Sequence, residues 1–123
     1  MTSSFKFLLG LVLSIVALWS SSFGFELNST NITSAPFNCN TSDTSCYLSN
    51  LWITSIASGT FVGFDSLTYL NLADNQINSI ENGDFVGLDS LINLFLHRNQ
   101  ISSIESGDFI GLDSLNTLNL RNN

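Results

Sequence analysis

The residues of this chain that could do chemistry are one histidine, His97, ten acidic residues and two cysteines. Catalysis by such groups needs a nucleophile beside a base, convergent acids or a bound metal. No Ser-His-Asp set can be argued around His97, and no glycine-rich loop with phosphate-binding spacing is present. The sequence therefore predicts a protein that is not an enzyme, with no catalytic residue and no cofactor.

Most of the acidic residues recur along the chain at one constant interval. They form three sets in which successive members lie 24 residues apart. The sets are Glu81 and Glu105; Asp84 and Asp108; Asp65, Asp89 and Asp113. Carboxylates gathered in this way could bind Ca²⁺, which takes several carboxylate and carbonyl oxygens. A solvated acidic edge is the simpler interpretation, so the sequence predicts no metal site.

The two cysteines, Cys39 and Cys46, lie close together in the sequence. A secreted chain favours a disulfide between them. Metal binding is disfavoured because no histidine lies nearby to complete a ligand set. The sequence therefore predicts a Cys39–Cys46 disulfide.

The stretch 25–38 is rich in Thr, Ser and Asn and is predicted to be a flexible polar leader. Two N-x-[ST] sequons, at Asn28 and Asn31, lie within it, and a third at Asn40 follows. Such sequons carry sugar only in a secreted eukaryotic chain. We expect at least one of the three to be glycosylated; the alternative is an unmodified polar linker.

Residues 1–24 are predicted to be a secretory signal peptide. Lys6 precedes an apolar run at positions 7–19, and residues 20–24 are small apart from Phe23. A bilayer-spanning helix needs about 18–20 apolar residues, so this run is too short. Cleavage is predicted after Ser22 or Gly24, and an uncleaved anchor is the alternative. No other stretch is apolar enough to span a membrane, so the predicted location is extracellular, either secreted or in the ectodomain of a membrane protein.

The charge of the remaining chain is strongly negative. Without Lys6, two cations, Arg98 and Arg121, stand against ten acids, a formal charge of −8. Nucleic acids bind to basic surfaces, because phosphates must be neutralised. The predicted partners therefore do not include nucleic acid.

One stretch recurs along the chain and must position these residues. Residues 67–75, LTYLNLADN, return at equal intervals as 91–99, LINLFLHRN, and as 115–123, LNTLNLRNN. When the residues before each stretch are included, the second and third copies, 77–99 and 101–123, agree at 15 of 23 aligned positions. Self-similarity at a fixed period is the signature of a solenoid. The predicted repeats are 53–76, 77–100 and 101–123.

The pattern L-x-x-L-x-L-x-x-N resembles the leucine-rich repeat (LRR) family, and I-x-x-I-x-x-G-x-F-x-G-[LF]-D-S resembles its extracellular 24-residue type. The resemblance implies an α/β solenoid, a right-handed superhelix with a short parallel concave β-sheet and an irregular or short-helical convex side. It also implies an N-terminal cysteine cap, here at 39–52. A C-terminal cap is missing, which favours a fragment of a longer protein; the alternative is that something else covers that end.

Alternation along each strand decides which side chains enter the core. Leucines at the strand positions and isoleucines after them are predicted to fill it: Leu67, Leu70, Leu72, Ile77 and Ile80, with their counterparts up to Leu120 and Ile104. The resemblance implies a stacked spine of Phe61, Phe85 and Phe109. Asn75, Asn99 and Asn123 are predicted to pair with exposed backbone groups where each strand ends.

The same spacing describes the head of the solenoid. Counting back one repeat length from Leu70 places Cys46 at an inward position of a first strand, roughly 44–48. Leu51 stands where the repeated Asn is expected, so an irregular first turn is predicted there. The apolar residues Leu51, Trp52 and Ile53 are predicted to cover the top of the core instead.

The positions between the inward leucines differ between neighbouring repeats at all five places, whereas the scaffold is copied. A diversified concave face predicts recognition of a protein or glycoprotein, and free drift at exposed positions is the alternative. Within such a face, aromatic and Arg side chains dominate the binding energy. The predicted ligand-binding residues are Tyr69, Asn71, Asn93, Phe95, His97, Asn119 and Arg121. A second interpretation is a structural N-terminal scaffold fragment of a receptor ectodomain or receptor kinase. The oligomeric state is left open.

Overall fold

The computed structural model describes residues 24–34, 37 and 39–123. The predicted signal peptide, apart from Gly24, lies outside these residues. Short strands joined by turns make up the described part, which contains no helix. The strands are β1 (Phe25–Leu27), β2 (Ser45–Tyr47), β3 (Ile53–Ile56), β4 (Tyr69–Asn71), β5 (Asn93–Phe95) and β6 (Thr117–Asn119).

Four of these strands form one parallel sheet in the order β2-β4-β5-β6. The register follows the sequence period, since Cys46 pairs with Leu70, Leu70 with Leu94, and Leu94 with Leu118. Equivalent residues therefore stand beside one another across the sheet. The prediction of a parallel-strand solenoid is confirmed, with turns rather than helices on the side opposite the sheet in the described residues.

The core lies between this sheet and the turns behind it. Leu70, Leu94 and their inward neighbours are fully buried, as the alternation predicts. The last repeat differs, because Leu118 is 38% exposed and Ile104 is 45% exposed. Both were predicted to be inward, but no further repeat packs against them in this structure.

A column of phenylalanines runs behind the sheet. The Phe85 ring stacks on Phe61 at a centroid distance of 6.3 Å and on Phe109 at 5.8 Å. The interplanar angles are 16° and 8°, so the three rings are nearly parallel. The predicted phenylalanine spine is therefore present.

The backbone at Gly87 must lie very close to this spine. Its φ angle is +99°, in the left-handed region that favours glycine. A Cβ atom at this position would also collide with the backbone of Phe61 and Val62. Glycine therefore allows neighbouring repeats to come into contact here.

A ladder of asparagines closes the turns after the strands. Asn75 Oδ1 accepts the N–H groups of Leu51 and Ile53, and its Nδ2 donates to the carbonyl of Leu48 at 2.7 Å. Each asparagine thus completes the turn of the coil before its own. The first turn, around Leu51, was predicted to be irregular for want of an asparagine. Asn75 supplies an asparagine from the next repeat, but the backbone of this turn is irregular as predicted, because Trp52 has a positive φ angle where Gln76 and Gln100 do not.

The N-terminal cap begins earlier than the sequence predicts. β1 pairs in parallel with β3, and Leu27 and Ile32 are fully buried in the core. A flexible leader over 25–38 was predicted from the polar composition, and this is wrong for the described residues. The few apolar side chains of the segment turn inward, while its Asn, Ser and Thr residues build the turns.

The cysteines and Trp52 complete this end of the molecule. Cys39 and Cys46 form the predicted disulfide, with Cα atoms 5.6 Å apart, and both are buried. Ile53 covers the core as predicted, but Trp52 is 44% exposed. Trp52 has a φ angle of 62°, and its carbonyl accepts the N–H of Phe25 immediately before β3. Strand alternation beginning at Ile53 then directs the indole outward.

Candidate functional site

The side of the four-stranded sheet that faces away from the core is called here the outer sheet face. It comprises the outward residues of β2, β4, β5 and β6 and the residues that follow them, and corresponds to the concave face of the sequence analysis. Its side chains are partly or fully exposed in most positions. All seven residues predicted to bind a ligand lie on it, in the columns that the repeat register creates.

A stripe of aromatic rings crosses this face. The rings of Tyr47 and Tyr69 lie 5.2 Å apart between centroids, and those of Tyr69 and Phe95 lie 5.2 Å apart. The His97 ring then meets Phe95 edge-on at 6.2 Å. Tyr47, Tyr69 and Phe95 lie on the neighbouring strands β2, β4 and β5, and His97 follows β5. This placement brings each ring into contact with the next. The stripe is called the aromatic stripe below.

Tyr47 was missed in the sequence analysis, although it is the most exposed ring of the stripe, at 65%. The count of outward positions began with the first complete repeat, so β2 of the cap was left out. Tyr47 pairs in register with Asn71, one repeat length away. The same subtraction of one repeat length that located Cys46 also locates Tyr47.

The predicted asparagines of the face have unequal roles. Asn71 Oδ1 accepts the N–H of Ala73 at 3.0 Å, and Asn119 Oδ1 accepts the N–H of Arg121 at 3.2 Å. These two side chains shape the backbone after their strands, as Asx turns do. Asn93 lies beside Tyr69 in register and is partly exposed. Phe95 occupies the position equivalent to Asn71 and Asn119, so the middle repeat presents a ring in place of this turn.

His97 is partly buried and occupies the centre of its column. Its Nδ1 is shielded from solvent and has no hydrogen-bond partner among the described residues. Ala73, at the preceding position of the column, is buried although His97 beside it is partly exposed. A methyl group is too short to emerge beside the imidazole, which accounts for the difference.

The two cations outside the predicted signal peptide lie next to His97. The backbone N–H of Arg98 donates to the Arg121 carbonyl at 2.9 Å, which places the two residues on neighbouring coils. Arg98 Nη1 lies 3.5 Å from Asp74 Oδ1, and the two residues form an ion pair between neighbouring coils. The Arg98 side chain is 63% exposed in that pair, and exposed ion pairs contribute little to stability. The guanidinium therefore stays available to a partner.

The backbone that carries these charged side chains is held in an uncommon conformation. Asn50, Asp74, Arg98 and Asn122 all have φ between 55° and 60° at the same place in successive coils. Asn and Asp adopt the left-handed region more readily than other non-glycine residues, whereas Arg does so rarely. Arg98 is thus the one long side chain at a position otherwise filled by Asn or Asp.

The acidic residues lie mostly away from the outer sheet face. Asp84 is buried, and its Oδ2 accepts the N–H of Glu81 at 2.8 Å. Burial raises the pKa of Asp84 to about 6, and the nearby charges of Glu81, Asp108 and Glu26 act in the same direction. A cavity of about 230 Å³ lies beside it. Within the described residues no group of three or more His, Cys, Asp or Glu side chains could hold a metal ion.

The predicted glycosylation sites lie in the N-terminal cap. Asn28 Oδ1 accepts the Thr30 hydroxyl at 2.6 Å, and Asn31 Nδ2 donates to the Glu26 carbonyl at 2.9 Å. Asn40 is exposed in a turn that Asp43 closes by accepting its backbone N–H. All three are at or near the surface, far along the chain from the cations.

No helix in the described ranges is long and apolar enough to cross a membrane. No curated protein matches the chain in sequence. A family model described as Leucine rich repeat matches residues 47–101 and 85–123, which together cover more than half of the chain. The match begins at Tyr47 and includes every strand of the outer sheet face after it. The chain therefore belongs to the leucine-rich repeat family.

Proposed function

We propose that this protein is a secreted or cell-surface recognition module that binds another protein through the outer sheet face. The observation that carries the proposal is the aromatic stripe. Tyr47, Tyr69 and Phe95 present partly or largely exposed rings in contact with one another, whereas Phe61 and Phe85 on the opposite side of the repeats are fully buried. Exposed aromatic side chains of this kind supply much of the binding energy of protein interfaces.

Extracellular location is part of the same proposal. A disulfide in the cap is typical of chains that pass through an oxidising compartment. The apolar segment 7–19 and the sequons at Asn28, Asn31 and Asn40 agree with that route. N-terminal sequencing and mobility after glycosidase treatment of protein secreted by eukaryotic cells test it. Retention of residues 1–22 together with unchanged mobility would contradict it.

The outer sheet face is small for a stable complex. An ordinary interface buries about 800 Å² and 20–30 residues on each partner, and four short strands offer fewer positions. We therefore expect weak binding by one copy of this chain. Further repeats, as in a scaffold fragment of a longer ectodomain, would enlarge the face.

The experiment probes an array of extracellular protein domains with the chain assembled into pentamers, because multivalency compensates for weak affinity. Phe95→Ser should remove the positive signals and weaken affinity by at least about 1 kcal/mol, or about fivefold. It should leave the melting temperature almost unchanged, since the ring lies outside the core.

The matched control is Val62→Ser, which removes an exposed apolar side chain from the opposite side of the solenoid. It should leave binding intact. Signals that survive both Phe95→Ser and Tyr69→Ser would mean that partners use the turns behind the sheet, and the proposal would be wrong.

A further inference from the structure

The charges of this protein are separated between its faces. Both cations outside residues 1–24 lie at one place, where Arg98 and Arg121 occupy neighbouring coils beside His97. This place is called the cationic corner below. Of the ten acidic residues, only Asp74 accompanies them, as the exposed partner of Arg98. The others lie in the cap, in the turns behind the sheet or before the strands, and these are their positions: Glu26, Asp43, Asp65, Glu81, Asp84, Asp89, Glu105, Asp108 and Asp113.

The cationic corner adjoins the aromatic stripe. His97, whose ring lies 6.2 Å from that of Phe95 within the stripe, precedes Arg98 in the chain and shares its column with Arg121. Neighbouring strands of a sheet lie about 4.8 Å apart, so the stripe and the corner are separated by about one strand spacing. An extended peptide repeats its side-chain direction every two residues, or about 6.8 Å. Two side chains of such a peptide, spaced one or two residues apart, could therefore reach the stripe and the corner together.

We infer that the outer sheet face binds an extended peptide segment in which an acidic side chain stands one or two residues from a large apolar one. The inference rests on the proposed function and names the chemistry of its partner. The apolar side chain packs against Tyr69 and Phe95, and the carboxylate accepts hydrogen bonds from the guanidinium groups of Arg121 and Arg98. Charge-assisted bonds of this type are the strong ones in recognition.

The distribution of charge also argues against other partners. A basic segment would meet two guanidinium groups beside the aromatic rings that should anchor it. A uniform polyanion such as heparin would extend beyond the cationic corner and approach the surrounding carboxylates, which repel it. A short acidic segment with an apolar anchor avoids both conflicts.

The test selects a random peptide display library on the intact chain and on three variants. The wild type should enrich peptides in which Asp or Glu stands one or two positions from Trp, Phe, Leu or Ile. Arg98→Gln with Arg121→Gln should lose the acidic preference and keep the apolar one. Phe95→Ser should lose the apolar preference, and Val62→Ser should behave like the wild type.

One enriched peptide and its Asp→Asn or Glu→Gln analogue then provide a quantitative check. The double arginine variant should bind the acidic peptide about tenfold more weakly than the wild type does. The wild type and the double arginine variant should bind the amide analogue with nearly equal affinity, because without the carboxylate neither protein forms the charge-assisted bonds. Affinity for the acidic peptide should fall as salt rises, since exposed charges are screened. Heparin should not bind at physiological salt.

Several results would overturn the inference. They are enrichment of basic or uncharged peptides, no enrichment at all, an acidic preference that survives the double arginine variant, and tight binding of heparin. None of these contradicts the proposed function, which is decided by the loss of array signals in Phe95→Ser. If Phe95→Ser loses the array signals while the wild type enriches basic peptides, the face binds proteins, but through basic rather than acidic segments.

Discussion

The Asn99 side chain accepts a hydrogen bond from the Ile77 backbone at 3.0 Å, although the two residues lie on successive coils. The Nδ2 of the same side chain donates to the carbonyls of Leu72 and Leu96 at 3.0 Å each. All three bonds are buried, so water does not compete for them. One amide side chain thus satisfies a donor and two acceptors of the backbone.

Asn99→Ala should therefore be strongly destabilising. The Ile77 N–H would be left buried without a partner, which costs about 1–3 kcal/mol. The carbonyls of Leu72 and Leu96 would each lose one of two donors, because Asn75 and Asn123 also donate to them. Asn123→Ala should cost less, because Asn123 makes the same bonds at an exposed position. Denaturant unfolding of both variants measures the difference, and equal losses would show that burial does not decide the effect.

Phe85→Ala should lower the free energy of unfolding by about 3–5 kcal/mol, the usual range for a buried Phe. The ring is fully buried between two others of the spine, so its removal leaves a cavity that neighbours cannot fill. The control is Val86→Ala, at an exposed adjacent position. An unchanged denaturation midpoint for Phe85→Ala would contradict the packing described above.

Gly87→Ala and Gly63→Ala form a matched pair. Both positions have positive φ, 99° and 88°, so alanine carries a similar left-handed penalty of about 1–2 kcal/mol at each. Only at Gly87 would the added Cβ collide with backbone, whereas at Gly63 the nearest atom is 3.6 Å away. Thermal melts should show that Gly87→Ala is less stable than Gly63→Ala by about 1–3 kcal/mol. Equal melting temperatures would mean that neighbouring coils can move apart.

Asp84 should make stability fall as pH rises from about 4 to about 6. Its pKa is about 6 in the folded state against 3.8 for the free side chain, so the folded state binds the proton more tightly. Below about pH 4 both states are protonated, and above about pH 6 both are ionised, with the folded state at a disadvantage of up to about 3 kcal/mol.

Asp84→Asn tests this relationship, because the amide keeps an oxygen that can accept the Glu81 N–H but carries no charge. The variant should be more stable than the wild type at about pH 7.5 and should lose the fall in stability between about pH 4 and pH 6. Urea titrations across this range measure it. Asp89→Asn, at an exposed position, is the control. A wild-type profile that rises with pH through the window would show that Asp84 is ionised without penalty.

The Cys39–Cys46 disulfide should persist in protein secreted from eukaryotic cells. Thiol titration of the denatured, unreduced chain should detect no free thiol, and two free thiols per chain would contradict the structure. Reduction should cost about 2.5 kcal/mol on the chain-entropy model, because the loop that the bond closes is short.

The repeat period accounts for most of what the sequence could predict. Once Leu70, Leu94 and Leu118 are aligned, the strands, the register and the outward columns follow from alternation alone. The period also predicted the place of Cys46. It could not predict β1, because Phe25–Leu27 pairs with β3 outside the repeat register. The raised pKa of Asp84 was equally out of reach, because it depends on the burial of that side chain and, in part, on Glu26 from the cap.

The function of each asparagine was predicted only in part. Alignment identified Asn75 as a turn residue but not that three of its hydrogen-bond partners belong to the preceding coil. For that reason Leu51 was taken to leave its own turn incomplete. Some of the partners of an asparagine at position 51 would belong to a coil that the sheet does not contain, because β2 is its first strand.

The asparagine ladder also limits how the number of repeats can change. Each asparagine reaches groups at fixed separations of 22, 27 and 3 positions in the chain, so its partners are set relative to its own repeat. Duplication or loss of one complete unit leaves every remaining asparagine with equivalent partners. Insertion of a single residue in the turns between two strands would separate one asparagine from the groups behind it. This solenoid can therefore lengthen or shorten by whole repeats without breaking the asparagine ladder, whereas small insertions are tolerated only where they bulge away from the core without altering that spacing.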